Sequence, residues 1–163
     1  MGQYYKIINL DKQEYLSPYT FNNGAKLMEF SCSRAGVLTA LALLLADGNG
    51  RGGGDLHSAN PVIGSWAGDQ IVIAGDYADD EKFLGKEQLV KYKMLQENEN
   101  ANLYSYAGEY FNDISEKALE AMLDDEFVFD IYKEANLRSQ TKSVFERVVQ
   151  KKKQQNLLKA EAG

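Results

Sequence analysis

The sequence predicts one α+β domain, and three observations carry that expectation. The chain has 163 residues, a length at which one domain is the default and folding buries roughly 70% of the extended surface. Its hydrophobic content of 44% and charged content of 26% are those of a chain with a core of its own. Apolar spacing then switches along the chain between the period of two that marks strands and the period of 3.6 that marks helices. The expected architecture is a mainly antiparallel sheet built from hairpins and packed by a central buried helix. Two further helices complete it, the C-terminal one partly projecting. Residues 1–138 are expected to form the globular unit and residues 139–163 a basic C-terminal helix or tail.

Tyr4 to Leu10 is rich in aromatic and β-branched residues, and Asp11-Lys12-Gln13 separates it from Glu14-Tyr15-Leu16, which predicts a hairpin. Pro18 and Asn22-Asn23-Gly24 mark a loop. Ser33 is the expected N-cap of a helix running to about Ala46, apolar on all faces and ended by Asp47-Gly48. Val62 to Trp66 and Gln70 to Ala74 flank Ala67-Gly68-Asp69, the spacing of a second hairpin. Residues 83–94 fit helix or strand, and Leu103 to Phe111 alternates as a strand would. Asp113 and Glu116 have capping-box spacing for a helix to Asp124, with Ile114, Ala118, Ala121 and Met122 on one face. Phe127 to Tyr132 fits a short strand or an apolar helical turn. From Ser139 a helix gathers Val144, Phe145, Val148 and Val149, and its apolar face lapses beyond Gln150 until Leu157-Leu158.

A single Cys and a single His leave no internal disulfide and no Cys/His zinc site. Cys32, just before the buried helix, is expected to be a small buried thiol. The first ten residues lack the basic-then-apolar order of a secretory signal, and Lys6 stands where a myristoylation signal has Ser or Thr. The longest apolar run, Val37 to Ala46, is too short to span a bilayer. A cytoplasmic protein that makes no membrane contact is the expectation.

Three segments could carry chemistry. Asp47 to His57, with five glycines from Gly48 on, resembles a calcium loop at its first and third positions. It departs from one at Arg51 and at Ser58, where the bidentate Glu belongs, and it lacks the Gly-Lys-Ser/Thr ending of a phosphate loop. A solvated surface loop is one reading. A divalent-ion site drawing on Asp55, His57, Asp69, Asp76 and Asp79, holding calcium or magnesium in a metal-binding protein or a metal-dependent enzyme, is the other. No other cofactor is expected. The net charge of −6 resolves into −4 over residues 1–100, −7 over 101–136 and +5 over 137–163, and such segregation guides association or lets segments pair internally. The acidic stretch contains Glu109, Glu116, Glu120, Asp124, Asp125, Glu126 and Asp130 beside Tyr104, Tyr106 and Tyr110. Ten tyrosines are more than a core of this size can satisfy, and exposed ones favour protein interfaces. Arg147, Lys151, Lys152 and Lys153 form a basic patch suited either to nucleic-acid phosphates or to the acidic residues of the same chain.

Met1-Gly-Gln-Tyr-Tyr-Lys6, Asn9-Leu-Asp-Lys12, Glu14-Tyr-Leu16, Gly50 to Leu56 and Gly64-Ser-Trp-Ala-Gly-Asp-Gln-Ile-Val-Ile-Ala-Gly-Asp-Tyr-Ala-Asp79 together resemble a family of small uncharacterised proteins of bacteria and their phages. The resemblance covers about the first half of the chain. It implies a bacterial or phage setting and supplies no catalytic residues. With no complete catalytic constellation in the sequence, the expected function is a non-enzymatic protein-interaction module. Its concrete form is an anti-CRISPR-like inhibitor that engages a host nuclease through the acidic, tyrosine-rich surface.

Overall fold

The computed structural model describes residues 2–48, 56, 59–79, 82, 84–85, 87–88 and 102–162. Four strands form a mixed sheet in the order β3-β1-β2-β4: β1 Tyr5–Asn9, β2 Glu14–Leu16, β3 Ile71–Gly75 and β4 Asn112–Asp113. The predicted first hairpin is present, with Ile8 opposite Tyr15. β3 lies antiparallel on the other edge of β1, with Ile7 opposite Ile73. β4 pairs in parallel with β2, so the sheet is mixed and, with two of its three ladders antiparallel, mainly antiparallel as expected. Alternation along β1 sends Ile7 into one hydrophobic cluster with Leu16, Phe30, Leu44 and Trp66, and Ile8 into a second with Ala74, Leu103, Tyr106 and Phe111. The sheet is therefore covered on both faces.

Six α-helices occur among the described residues: α1 Leu27–Ser31, α2 Val37–Leu45, α3 Leu103–Tyr110, α4 Ser115–Met122, α5 Glu126–Glu134 and α6 Ser139–Ala162. Helices α2, α4 and the first half of α6 share the Ile7 cluster, and α3 covers the Ile8 face. The central helix begins later than predicted. Its N-cap position is Gly36, and its first N–H, on Val37, is bonded by the buried Asn23 side chain at 3.0 Å. Ser33 instead accepts from the other end of Asn23 at 2.7 Å. Cys32 is exposed at the end of α1. Helix α6 starts against Asn22, which accepts from the Arg138 N–H at 2.8 Å and donates its own N–H to the buried Thr141 hydroxyl at 3.0 Å.

Two predicted strands are something else. Residues 61–69 make consecutive turns, because the chain there satisfies the end of α2. Gly64 and Trp66 donate to the carbonyls of Leu43 and Leu44 at 3.0 and 2.9 Å, which a helix end otherwise leaves unpaired. Gly64 has φ 73° and a Cβ there would lie 2.8 Å from the Ala46 carbonyl oxygen, so only glycine fits. Trp66 is thereby fully buried, with its indole N–H on Glu14 at 2.9 Å. Residues 103–110 are helical because Leu103, Tyr106 and Ala107 share one buried face and the Asn102 side chain caps the Ser105 N–H. Residues 126–134 resolve as a helix capped by Asp125, which accepts from Val128 at 2.9 Å. At α4 the N-cap position is Ile114, Asp113 just before it accepts from the Ser115 N–H at 2.9 Å, and Glu116 turns outward to Arg147.

Helix α2 takes its cap from a side chain fourteen residues upstream. Asn23→Ala is therefore expected to destabilise the protein by about 1–2 kcal/mol, read as a lower denaturation midpoint with unchanged m-value.

Candidate functional site

The charged helices lie on the Ile7 side of the sheet. Arg147 on α6 reaches Glu116 at 3.0 Å and Glu120 at 3.4 Å on α4, and Lys151 reaches Glu120 at 3.8 Å. Lys152 donates to the Leu123 carbonyl at 3.3 Å, at the C-terminal end of α4, and lies 3.7 Å from the centre of the Phe129 ring. Three of the four cations predicted as a phosphate-binding patch are thus engaged within the chain, Arg147 and Lys151 by carboxylates and Lys152 by a carbonyl and a ring. Exposed pairs of this kind are worth ~0–1 kcal/mol each, so their main effect is on charge. They neutralise Glu116 and Glu120.

The acids beyond α4 stay unpaired. Asp124, Glu126, Asp130 and Glu134 are exposed and make no ion pair among the described residues. Glu126, Asp130 and Glu134 recur every four residues along α5, about 6 Å apart, on a helix that also exposes Phe127 at 63%. The Arg34 guanidinium lies 4.8 Å from the Phe127 ring. The predicted tyrosines do not join this surface, since α3 carries Tyr104, Tyr106, Glu109 and Tyr110 on the opposite side of the sheet. Tyr106 is a core residue, 4% exposed, with its ring 4.8 Å from Tyr110 and 5.5 Å from Phe111.

The carboxylates predicted as metal ligands are dispersed. Asp69 accepts from Asn9 at 2.9 Å and from the Lys12 ammonium, and the neighbouring Gln70 N–H donates to Asp11 at 2.7 Å. Asp76 accepts from the Tyr4 N–H at 3.0 Å, and its carbonyl accepts from Asn102 at 2.9 Å. These two aspartates flank β3 and stand roughly 20 Å apart along the strand direction, too far to share an ion. Asp79 lies exposed beyond Asp76, while Asp55 and His57 fall outside the described residues. No group of three or more potential ligands occurs among the described residues.

Pattern reading missed Lys6, although the period of two places it on the same face as Ile8. Its ammonium lies between the sheet and α3, donating to the Tyr104 carbonyl at 3.1 Å and sitting 3.5 Å from the centre of the Tyr104 ring and 5.6 Å from that of Tyr15. A Cβ at Gly108 would lie 2.8 Å from this ammonium. Burial lowers the Lys6 pKa, with Asp113 and Asp76 opposing the shift. Burial likewise raises the Tyr15 and Tyr104 hydroxyls, reinforced by Asp113 and Asp76 respectively. With its proton donors directed at a carbonyl and its charge at two rings, Lys6 clamps α3 to the sheet.

No family model, no curated protein and no solved structure matches the chain. No helix among the described residues is long and apolar enough to cross a membrane.

Two pH dependences follow from these contacts. Hydrogen bonds from Asn9 and Lys12 hold the Asp69 carboxyl below its ordinary value of 3.8. Its stabilisation is therefore present above that value and lost as pH falls through the folded-state value. The stability difference between wild type and Asp69→Asn is expected to shrink on acidification below about pH 4, measured by urea unfolding. Lys6 gives a pH dependence of the same sign in a higher range. Its pKa is lowered on folding, so the unfolded chain binds more protons and stability rises with pH through the interval below 10.5. The stability difference between wild type and Lys6→Met is therefore expected to shift in favour of wild type as pH rises from 7 towards 10, measured by urea unfolding.

Proposed function

We propose that the protein is a non-enzymatic interaction module that engages a basic protein surface through the acidic face of α5. The observation that supports this reading is the division of the acidic segment. Glu116 and Glu120 are neutralised by α6, while Asp124, Glu126, Asp130 and Glu134 form an exposed row with Phe127 beside them. Carboxylates about 6 Å apart on a rigid helix offer a basic groove the regularly spaced negative charge that a nucleic-acid backbone offers it. An exposed aromatic ring adds area at low entropy cost. A host nuclease whose nucleic-acid channel is basic fits this chemistry, and an anti-CRISPR-like inhibitor is the form the function takes in a bacterial or phage setting.

The test compares immobilised wild type with the Glu126→Gln, Asp130→Gln, Glu134→Gln triple variant in bacterial lysate. Wild type is expected to retain a nucleic-acid-processing protein that elutes as salt rises from about 0.1 to 0.5 M, and to inhibit its cleavage of DNA or RNA. The variant should lose both effects while keeping its helical circular dichroism. Partners held equally by both proteins, or no inhibition by wild type, would overturn the reading.

A further inference from the structure

Helix α6 is 24 residues long, about 36 Å, and only its first half is packed. Thr141, Val144 and Val148 are buried, and every residue from Lys153 to Ala162 is exposed. The face opposite the buried one carries Lys142, Glu146, Gln150, Lys153, Leu157 and Glu161, all exposed. None of its four charged residues makes an ion pair among the described residues. Beside this face runs a groove of about 1040 Å³ whose lining includes Leu137, Phe145 and Val149. Leu157 projects further along, 63% exposed.

The charges on this face run plus, minus, plus, minus. An antiparallel copy of the same helix presents them as minus, plus, minus, plus. From this self-complementarity we propose that the outward face of α6 docks against the same face of a second copy of the chain, the two helices antiparallel about a two-fold axis near residues 151 and 152. In that register Lys142 lies opposite Glu161 of the other copy, Glu146 lies within about one turn of Lys153, and each Leu157 reaches the other copy's groove near Phe145 and Val149. A parallel pairing would set each charge on its like and is disfavoured. The axial residues Lys151 and Lys152 point towards their own domain, held by Glu120 and Leu123, so they do not meet across the axis. An overlap of about 30 Å on one helix pair is a small interface, and the dimer forms in the micromolar range. This contact is separate from the α5 surface and stands without it.

Sedimentation equilibrium of the full chain from about 1 to 500 µM decides the matter. Wild type is expected to pass from monomer to dimer. Glu146→Lys alone, which sets a lysine within about one turn of Lys153 at both ends, should weaken association at least tenfold, and Lys153→Glu alone should do the same. The Glu146→Lys, Lys153→Glu double variant should return to within about threefold of wild type, because the swapped pairs are again complementary. All substituted positions are exposed, and circular dichroism checks that each variant folds. A monomer at every concentration overturns the second-copy assignment. A dimer whose strength is unchanged by the single variants, or is not restored in the double variant, overturns the antiparallel contact.

Discussion

Each layer of the protein is positioned by β1, a five-residue strand that is paired on both edges and covered on both faces. Its neighbours come from residues 14–16 on one side and 71–75 on the other, and its alternate side chains enter two different hydrophobic clusters. A one-residue slip would exchange Ile7 with Ile8 and set Lys6 against the wrong layer. The register is secured by polar contacts at both ends of β3. At one end Asn9, Asp11 and Lys12 bind Asp69 and Gln70, and at the other the Tyr4 N–H binds Asp76. The two strings that make the first half of the chain distinctive, Asn9 to Leu16 and Gly64 to Asp76, are thus two halves of one interlocked unit. The indole of Trp66 on Glu14 joins them a third time.

This arrangement accounts for what the charged residues do. Carboxylates near the sheet are committed to backbone amides and to Lys12, where they hold turns in place. Those on α4 are committed to α6. Glu126, Asp130 and Glu134 make no ion pair among the described residues and lie on α5, a helix whose first turn is fixed by Asp125 and whose hydroxyl anchor, Tyr132, donates to the Ala35 carbonyl at 2.6 Å. Burial pushes that hydroxyl's pKa upward, so the anchor stays protonated and α5 stays docked while its acidic side faces outward. The reverse side of that surface packs against the core through Val128, Phe129 and Tyr132.

The elements legible in the sequence are those whose determinants are local. The first hairpin declares itself through Asp11-Lys12-Gln13, and α2, α4 and α6 through apolar spacing. The misread elements depend on distant partners. Val62 to Trp66 has the composition of a strand, but the open carbonyls of Leu43 and Leu44 determine what it becomes. Residues 103–110 alternate only if Tyr104 and Tyr106 are counted alike, and the fold exposes one partly while burying the other. Ser33 was a sound cap by type, yet Asn23 reaches the helix first. For the site, the acidic residues were visible as positions. Which of them would be neutralised turned on Arg147 and Lys151 meeting α4 from about thirty residues away. Lys6 was invisible as a clamp because the carbonyl it binds lies on Tyr104.

The pairing of residue 5 with 75 and residue 9 with 71 also sets a timetable for synthesis. β1 is made before β3, and its second edge stays open until β3 has been translated. At ordinary translation speeds of roughly 5–20 residues per second that is a delay of roughly 3 to 13 s. During it an apolar strand has only the short β2 beside it and neither hydrophobic layer in place. Closing a gap of this size early in folding is slow compared with forming local helices. The nascent chain is therefore most prone to aggregation before Gly75 appears, and chaperone capture during that interval would act on the strand around which the finished protein is built.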